Sequence, residues 1–199
     1  VNAGLWLPPK KINSILGKKQ GEALISSLGS APDLVYSIID ENEIDCDPKR
    51  NGTLHCAHSE KGMGYLFERL KQGQEYEEPL ALFDKNETTN KIGSSKFFGS
   101  LHDPRAGTIQ PLAYCRGLAR KAKELGANIY EKSKVTQIRR QNDRWYANVK
   151  NIVINSKYLL LAMNAYQDLG KEQNTGKFST VYYSQFATRP LNSNEMSAI

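Results

Sequence analysis

One run of this sequence, from Gly107 to Asn164, limits the possible folds more than any other part of the chain. Pro111 stands where the first turn of a helix tolerates proline, apolar residues follow at helical spacing, and Gly126 supplies a stop. The run ends in an apolar stretch, residues 158–163, that does not alternate with polar residues. Such a stretch is typical of a strand that is covered on both faces, as in a parallel sheet.

Between its two ends this run predicts one buried helix face and a β-meander. The helical spacing that indicates the buried face is carried by Cys115, Leu118, Ala119, Ala122 and Leu125. Short extended segments follow at residues 128–131, 135–139 and 145–149, and polar turn residues separate them. The run therefore predicts a helix, a meander and a buried strand, in that order.

The remaining chain alternates helical and extended patterns. An apolar stripe from about residue 18 to 42 is interrupted near Gly29 and Pro32, which predicts a pair of helices or a bent helix. Asn51-Gly52 is a strong hairpin signal, so strands are expected on both sides of it. The other predicted elements are helices at residues 60–76 and 84–92, strands at 96–102 and 182–188, and a helix that begins near residue 193. Together these elements indicate an α+β fold.

Composition and charge exclude several classes of protein. The 199 residues are 39% hydrophobic and 24% charged, as in ordinary globular proteins, and no apolar stretch is long enough to span a membrane. The net charge of +6 comes from scattered basic pairs rather than from one helix face, so no nucleic-acid partner is predicted. Three cysteines without metal-ligand spacing fit reduced thiols, and we expect a cytoplasmic protein.

Several segments between Asp103 and Ala165 resemble a known family. They are Asp103-Pro104-Arg105-Ala106-Gly107-Thr108-Ile109-Gln110-Pro111-Leu112, Gly117-Leu118-Ala119, Leu125-Gly126-Ala127, Val135-Thr136 and Leu161-Ala162-Met163-Asn164-Ala165. They are similar to segments of the FAD-dependent D-amino-acid oxidase superfamily, in the branch that contains glycine oxidase, sarcosine oxidase and gamma-glutamylputrescine oxidoreductase. Residues 45–46, 51–54 and 187–191 resemble further segments of that branch. The resemblance implies an FAD-dependent oxidoreductase that oxidises the C–N bond of an amino acid or amine by hydride transfer to the flavin.

The resemblance also implies a division of the chain. Residues 1–102 correspond mostly to a substrate domain with a mixed or antiparallel sheet and connecting helices. Residues 103–170 correspond to part of a Rossmann-like FAD-binding domain, and residues 171–199 return into the substrate domain. The expected architecture is therefore α+β, with pieces of two domains.

The family's N-terminal G-x-G-x-x-G turn, which holds the cofactor pyrophosphate, is absent from this sequence. Gly62-Met63-Gly64 has the first spacing, but it lacks the third glycine and lies at a predicted helix start. The first residue is Val1 rather than methionine, and the chain stops at Ile199 within a predicted helix. We therefore expect an internal fragment of a longer enzyme, which binds FAD only in the full-length parent and is inactive by itself.

Candidate site residues follow from the same resemblance. Val135 matches a position whose backbone contacts the adenine end of FAD. The strand end that approaches the cofactor matches Ala162, Met163 and Asn164, although the family commonly has threonine where Met163 stands. The candidates for lining the substrate cavity are His55, His102, Tyr183 and Gln185. No catalytic residue is assigned, and the electron acceptor stays open.

Alternatives to these assignments stay open. His55 and His58 come nearest to a metal cluster, but alternation along a strand would put them on opposite faces, so no metal is expected. His55 also fits an ordinary structural histidine, and Val135 fits simple core packing. For the whole protein, the alternative to an enzyme acting on a small amine or amino acid is a non-catalytic ligand-binding module of the same fold.

Overall fold

A computed structural model of the chain describes residues 1–5, 7–164, 182 and 188–196. The chain divides into two compact units, Val1–Ala127 with Pro190–Ile199, and Asn128–Arg189. The first unit holds α1 (Pro9–Leu16), α2 (Lys18–Gly29), α3 (Ala31–Glu41), β1 (Thr53–Cys56), α4 (Glu60–Gln74), β2 (Ala81–Phe83), α5 (Lys85–Ile92), β3 (Ser100–Asp103) and α6 (Pro111–Glu124). The second unit holds β4 (Val135–Gln141), β5 (Arg144–Val149) and β6 (Ile152–Ser156), and a short α7 (Ser193–Met196) belongs to the first unit. Helices and antiparallel sheets confirm the predicted α+β class.

The apolar stripe near the start of the chain forms the predicted pair of helices. α2 ends at Gly29, and α3 begins at Ala31 with Pro32 in its first turn, where proline's missing N–H costs nothing. The apolar face of α3 builds the core of the first unit, in which the buried residues are Tyr36, Ile39, Ile44 and Cys46. α1, which was not predicted, precedes the pair and ends at Leu16, and Gly17 follows it with a φ of 78° that suits glycine.

The helix predicted after Pro111 is confirmed, and its predicted buried face is confirmed in part. α6 spans Pro111–Glu124, and Gly126 follows it with a φ of 93°. Leu118 of the predicted face packs against the core of the first unit, but the buried residue of α6 is Gly117, which lies against Ile44, and Leu125 is 79% exposed. Helical spacing alone fixes a face only within the helix, and Leu125 lies beyond its last turn. The contact with Ile44 therefore sets which face is buried.

The first sheet has the strand order β1-β3-β2, and both pairs are antiparallel. The hairpin predicted at Asn51-Gly52 is wrong, because β1 pairs with β3 and the segment before the glycine makes an isolated bridge from Lys49 to Thr108. Gly52 has a φ of 80°, as a turn glycine should, and its N–H donates to the carbonyl of Ala106 at 3.0 Å. Pairing with a segment distant in sequence thus overrides the local hairpin signal.

Capping residues explain where α4 and α5 begin. Ser59 Oγ accepts a hydrogen bond from Gly62 N at 3.1 Å at the start of α4. At the start of α5, Asp84 and Glu87 form a reciprocal capping box with two bonds of 2.8 Å. Both helices agree with the predicted ones, whereas the strand predicted at residues 96–102 is shorter and lies at Ser100–Asp103.

The second unit contains the meander, with strand order β4-β5-β6. The strands predicted at residues 135–139 and 145–149 are confirmed as β4 and β5, whereas residues 128–131 form no strand and Ile152–Ser156 supplies the third one. The register places Trp145 opposite Ser156, and tight turns with left-handed residues at Asn142, Asp143 and Lys150 join the strands. Asn and Asp tolerate positive φ, so the turn at Asn142-Asp143 suits the residues that form it.

The buried strand predicted at residues 158–163 is wrong. The structure has no strand there, and Leu160 is 88% exposed. A strand is stabilised by its neighbours in a sheet, and none of the described strands pairs with this apolar stretch. The strand predicted at residues 182–188 falls almost wholly outside the described residues.

Candidate functional site

The first unit contains a cavity of about 220 Å³ beside its sheet. One wall is β1 and β3, a second is α4, and the N-terminal segment supplies a third. The lining residues are Asn2, Ala3, Gly4, Leu5, Thr53, His55, Leu66, Arg69, Leu80, Leu101 and Asp103. The cavity therefore joins an apolar surface to a small number of polar and charged groups, which is the usual composition of a small-molecule site.

Sheet register brings the strand residues of this cavity together. Thr53 lies opposite Asp103, and His55 lies opposite Leu101, so all four side chains share one face of the sheet. The N-terminal segment is held against the same unit by backbone hydrogen bonds. Gly107 N donates to the carbonyl of residue 1 at 2.9 Å, and the N–H of residue 4 donates to the carbonyl of residue 28 at 3.0 Å.

Four charged side chains form a network at this cavity. Arg105 Nε donates to Asp103 Oδ1 at 2.9 Å, and its Nη2 donates to Asp103 Oδ2 at 2.6 Å and to Glu78 Oε1 at 3.2 Å. Arg69 Nη1 lies 2.5 Å from Glu78 Oε2. The two carboxylates are nearly inaccessible, with side-chain exposures of 5% for Glu78 and 8% for Asp103. Two cations therefore neutralise two buried anions.

The network shifts the pKa values of two of its members. Burial acts to raise the pKa of the Asp103 carboxyl, but hydrogen bonds and charge from Arg105, together with the charge of Arg69, hold it below its ordinary value. The hydrogen bond from Asp103 raises the pKa of Arg105 further, against the effect of burial. Asp103 is consequently a fixed anion and is unsuited to exchanging protons near neutral pH.

The two predicted substrate-lining histidines lie on opposite faces of the sheet. His55 lines the cavity. His102 neighbours the cavity-facing Leu101 and Asp103 on β3, so its side chain points the other way, where its ring stacks on Phe83 with centroids 5.5 Å apart. The other two candidates, Tyr183 and Gln185, lie outside the described residues. Contact of any of these residues with substrate stays a prediction.

The four predicted cofactor contacts lie in the second unit. Val135 opens β4, pairs with Val149 and is followed by a bulge in the ladder before residue 137. Ala162 and Met163 precede Asn164, which has a left-handed φ of 52°. A bulge and a left-handed residue both re-aim backbone groups. The proposed backbone contacts at these positions stay predictions.

The described part of the chain contains neither a cluster of metal-ligating side chains nor a membrane-spanning helix. No group of three or more His, Cys, Asp or Glu side chains in it is arranged to hold a metal ion. His58, the second histidine of the sequence cluster, packs on Phe97 with ring centroids 5.0 Å apart. Among the same residues, no helix combines the length and apolarity that crossing a membrane requires.

Sequence reasoning missed the charged residues of the cavity and its N-terminal wall. Arg69 belongs to a helix whose other charged residues face solvent, and nothing in its spacing distinguishes it from them. For Asp103 and Arg105 a signal existed, because both belong to the run that resembles the oxidase family. The charged pair Asp103 and Arg105 within this segment was therefore the signal from which the charged wall of the cavity could have been predicted.

Comparison with known proteins identifies the family. The model of the DAO family, described as FAD dependent oxidoreductase, matches residues 2–198. The chain therefore belongs to the DAO family of FAD-dependent oxidoreductases, as the resemblance predicted.

Two curated relatives share about 30% identity with the chain. It is 31% identical over 140 residues to "Probable oxidoreductase OrdL" of Haemophilus influenzae, covering 69% of this chain and 32% of that protein. It is 30% identical over 156 residues to gamma-glutamylputrescine oxidoreductase of Escherichia coli, covering 78% of this chain and 36% of that protein. The chain thus spans about a third of the length of these relatives.

Solved structures agree on the fold. Glycine oxidase from Geobacillus kaustophilus matches with a TM-score of 0.61 at 19% identity, covering 69% of this chain and 38% of the other. L-proline dehydrogenase from P. horikoshii matches with a TM-score of 0.61 at 17% identity, again covering 69% of this chain and 38% of the other. At these identities the likeness shows the fold alone.

The described residues do not form a complete FAD site. In this kind of site the pyrophosphate of FAD is bound by a glycine-rich turn between a strand and a helix, whose backbone N–H groups converge on the phosphates. Gly62 and Gly64, the closest sequence match to such a turn, lie inside α4. The described residues therefore fit at most part of the cofactor.

Proposed function

We propose that this chain is a segment of an FAD-dependent oxidoreductase whose full-length form oxidises the C–N bond of an amino acid or amine. The observation that carries the proposal is the cavity beside β1 and β3, which combines an apolar surface with His55, Arg69 and Asp103. The family match supports the redox class, and the redox chemistry itself is the flavin's. The substrate class takes support from the relative that acts on gamma-glutamylputrescine.

In this proposal the cavity binds and orients the substrate rather than supplying a strong acid or base. Leu66, Leu80 and Leu101 form an apolar surface that excludes water from the substrate. Arg69 and His55 supply the polar groups that fix its orientation. Arg105 holds Asp103 in place, so that the charged wall keeps one geometry when a ligand enters.

The division of roles along the chain belongs to the same proposal. Residues 1–102 and 171–199 serve a substrate domain, and residues 103–170 serve an FAD-binding domain in which Val135, Ala162, Met163 and Asn164 contact the cofactor. The chain spans about a third of the length of its curated relatives, which supports the proposal that it is a segment. It lacks the glycine-rich turn, which supports the proposal that only the full-length form binds FAD. Free thiols at all three cysteines support a cytoplasmic location.

The test is to purify the full-length protein and to record its visible absorption spectrum. We expect an oxidised flavin spectrum that is bleached anaerobically by one or more members of a panel of amino acids and amines. A well-folded, colourless full-length protein that takes up no added FAD would contradict the enzyme and leave the non-catalytic ligand-binding module. The 199-residue chain, titrated with FAD in parallel, should bind none stoichiometrically.

A further inference from the structure

We propose that the corner between α1 and α2 docks on the surface of an anionic lipid bilayer. The corner comprises residues 14–20, all of which are exposed. Two of them, Ile15 and Leu16, insert among the lipids, and neighbouring lysines contact the headgroups. The contact is peripheral, so it needs no helix that spans a membrane. It is also independent of the proposed oxidoreductase activity, because none of these residues lines the cavity.

The apolar stripe of α1 continues beyond the part of the helix that is buried. Ile12 is 4% exposed, whereas Ile15 and Leu16, three and four positions later on the same face, are 58% and 45% exposed. Single apolar side chains are common on protein surfaces and need no explanation. Two neighbouring ones that extend a buried stripe form a larger apolar surface, which is stabilised when it leaves water.

Close packing of the helix pair places these two side chains at the turn. Gly17, with a φ of 78°, donates through its N–H to the carbonyl of Asn13 at 2.9 Å and accepts from Gly21 N at 2.9 Å. Gly21 lies so near Asn13 that an added Cβ would be 3.0 Å from Asn13 Cα. Ile15 and Leu16 therefore lie next to the point at which the chain leaves one helix for the other.

Lysine side chains accompany this apolar surface. Residues 1–21 contain four lysines and no acidic residue. Lys11 is an exposed residue of α1, and Lys18 and Lys19 begin α2. The side chain of Lys18 is 84% exposed, and its Nζ lies 3.8 Å from Glu22 Oε1, in an exposed ion pair of the kind that contributes little. The corner therefore presents positive charge that an anionic partner can neutralise.

An anionic bilayer satisfies both parts of this surface. Lysine stems can lie along apolar lipid while their ammonium groups stay with the headgroups. A negatively charged leaflet attracts lysines close to it, and the acyl chains accept aliphatic side chains. A nucleic acid would bind the lysines through its phosphates but would leave Ile15 and Leu16 in water. The combination of charge and apolar surface therefore favours lipid.

The test measures sedimentation of the unaltered full-length protein with lipid vesicles. Vesicles of phosphatidylcholine alone are compared with vesicles that also contain phosphatidylglycerol. We expect at least about tenfold tighter binding to the anionic vesicles, and this binding should weaken as salt is added. Equal binding to both kinds of vesicle, or binding to neither, would overturn the proposal. The assay needs no turnover, so its result does not depend on the proposed activity.

Two double variants assign the binding to the corner. Ile15→Ser combined with Leu16→Ser should weaken binding to anionic vesicles by at least about tenfold, because the burial of apolar surface is lost. Lys18→Gln combined with Lys19→Gln should weaken it by about tenfold or more, because the attraction to the charged leaflet is lost. Both changes are at exposed positions, and unfolding curves verify that the variants are folded.

Matched controls change the same residue types elsewhere in the first unit. Leu34→Ser, at a position of α3 that is 64% exposed, and Lys123→Gln, at an exposed position of α6, should leave vesicle binding unchanged. Undiminished binding by a folded corner variant would refute the assignment, and so would equal losses in the controls. A protein that ignores vesicles but forms a dimer that Leu16→Ser abolishes would show instead that a second copy covers the corner.

Discussion

Arg105 and Asp103 are joined by two parallel hydrogen bonds, Nε to Oδ1 at 2.9 Å and Nη2 to Oδ2 at 2.6 Å. The two residues are adjacent to the same turn, and Arg105 N also donates to Asp103 Oδ1 at 3.1 Å. This pair fixes the end of β3 at the cavity wall. Because Glu78 accepts from the same guanidinium, one arginine compensates two buried carboxylates.

Arg105→Gln should therefore destabilise the protein strongly. The substitution leaves Asp103 and Glu78 with less compensation in a site that water barely reaches, and breaking a buried ion pair from one side costs about 3 kcal/mol. Urea unfolding measures the change in the free energy of unfolding. Arg116→Gln, on the exposed face of α6, is the matched control and should change it by less than about 0.5 kcal/mol. A loss for Arg105→Gln as small as that of the control would show that the network contributes nothing to stability.

The lowered pKa of Asp103 predicts a specific dependence of stability on pH. The pKa of this carboxyl is about 3.9 in the unfolded chain and lower in the folded protein. At pH values between these two pKa values, the folded state therefore binds fewer protons than the unfolded state. Its contribution to stability is complete above the unfolded pKa and is lost as the pH falls through the folded pKa. Asp103→Asn should consequently show a shallower loss of stability below about pH 4.

The measurement is the urea midpoint at a series of pH values from about 6 down to about 3. Asp40→Asn, at an exposed position of α3, is the matched control and should follow the unaltered protein. Parallel curves for the unaltered protein and Asp103→Asn would show that the Asp103 carboxylate is not stabilised by folding.

Substitution by alanine should have opposite effects on stability at two glycines of α4, Gly73 and Gly64. A Cβ on Gly73 would lie 2.6 Å from Leu80 Cδ1, 2.7 Å from Glu78 Oε2 and 3.0 Å from Arg69 Nη1. Gly73→Ala should therefore displace the Arg69–Glu78 pair and cost about 1–3 kcal/mol. At Gly64 nothing lies within 4 Å of the added Cβ, so Gly64→Ala should stabilise the helix by up to about 1 kcal/mol. Urea unfolding of both variants tests the pair, and the same sign for both would contradict the packing at Gly73.

Local signals in the sequence predicted most of the helices, although α1 was not predicted. Pro111 and Gly126 bound α6, the break between Gly29 and Pro32 separates α2 from α3, and residues 84–92 form the capped α5. Each of these signals acts within one or two helical turns. Helix ends of this kind can therefore be predicted from neighbouring residues without knowing the rest of the fold.

Pairing and burial between distant segments were not predictable in this way. β1 pairs with β3 rather than across Asn51-Gly52, and the apolar residues 158–163 form no strand although their composition favours one. The cavity could not be predicted for the same reason, because the strands, the helix and the N-terminal segment that line it come together only on folding. His55 was a candidate for lining the substrate cavity and does line a cavity, but its contact with substrate stays a prediction. Arg69 has no feature in the sequence of its helix that distinguishes it from a solvent-exposed charge.

The contact between Gly117 of α6 and Ile44 predicts a rescue by a second substitution. A Cβ on Gly117 would overlap Cγ2 of Ile44, which is buried in the core of the first unit. Gly117→Ala should cost about 1–3 kcal/mol through this overlap. Ile44→Ala removes the obstructing methyl group, so the double variant should lose less stability than the two single variants added together. Additive losses, measured by urea unfolding, would show that the two residues do not share this contact.

Leu66 offers a test of whether the cavity is the place where substrate binds. Leu66→Phe adds volume to the wall of a cavity of about 220 Å³, so it should compete with the ligand for space. We expect a rise of about tenfold in the KM of the full-length enzyme for its substrate, because the larger side chain overlaps the space that the substrate occupies. Leu112→Phe, at a position on α6 that is 56% exposed, is the matched control and should leave KM unchanged. Unfolding curves for both variants separate this effect from loss of fold. A folded Leu66→Phe variant with an unchanged KM would place substrate binding elsewhere in the protein.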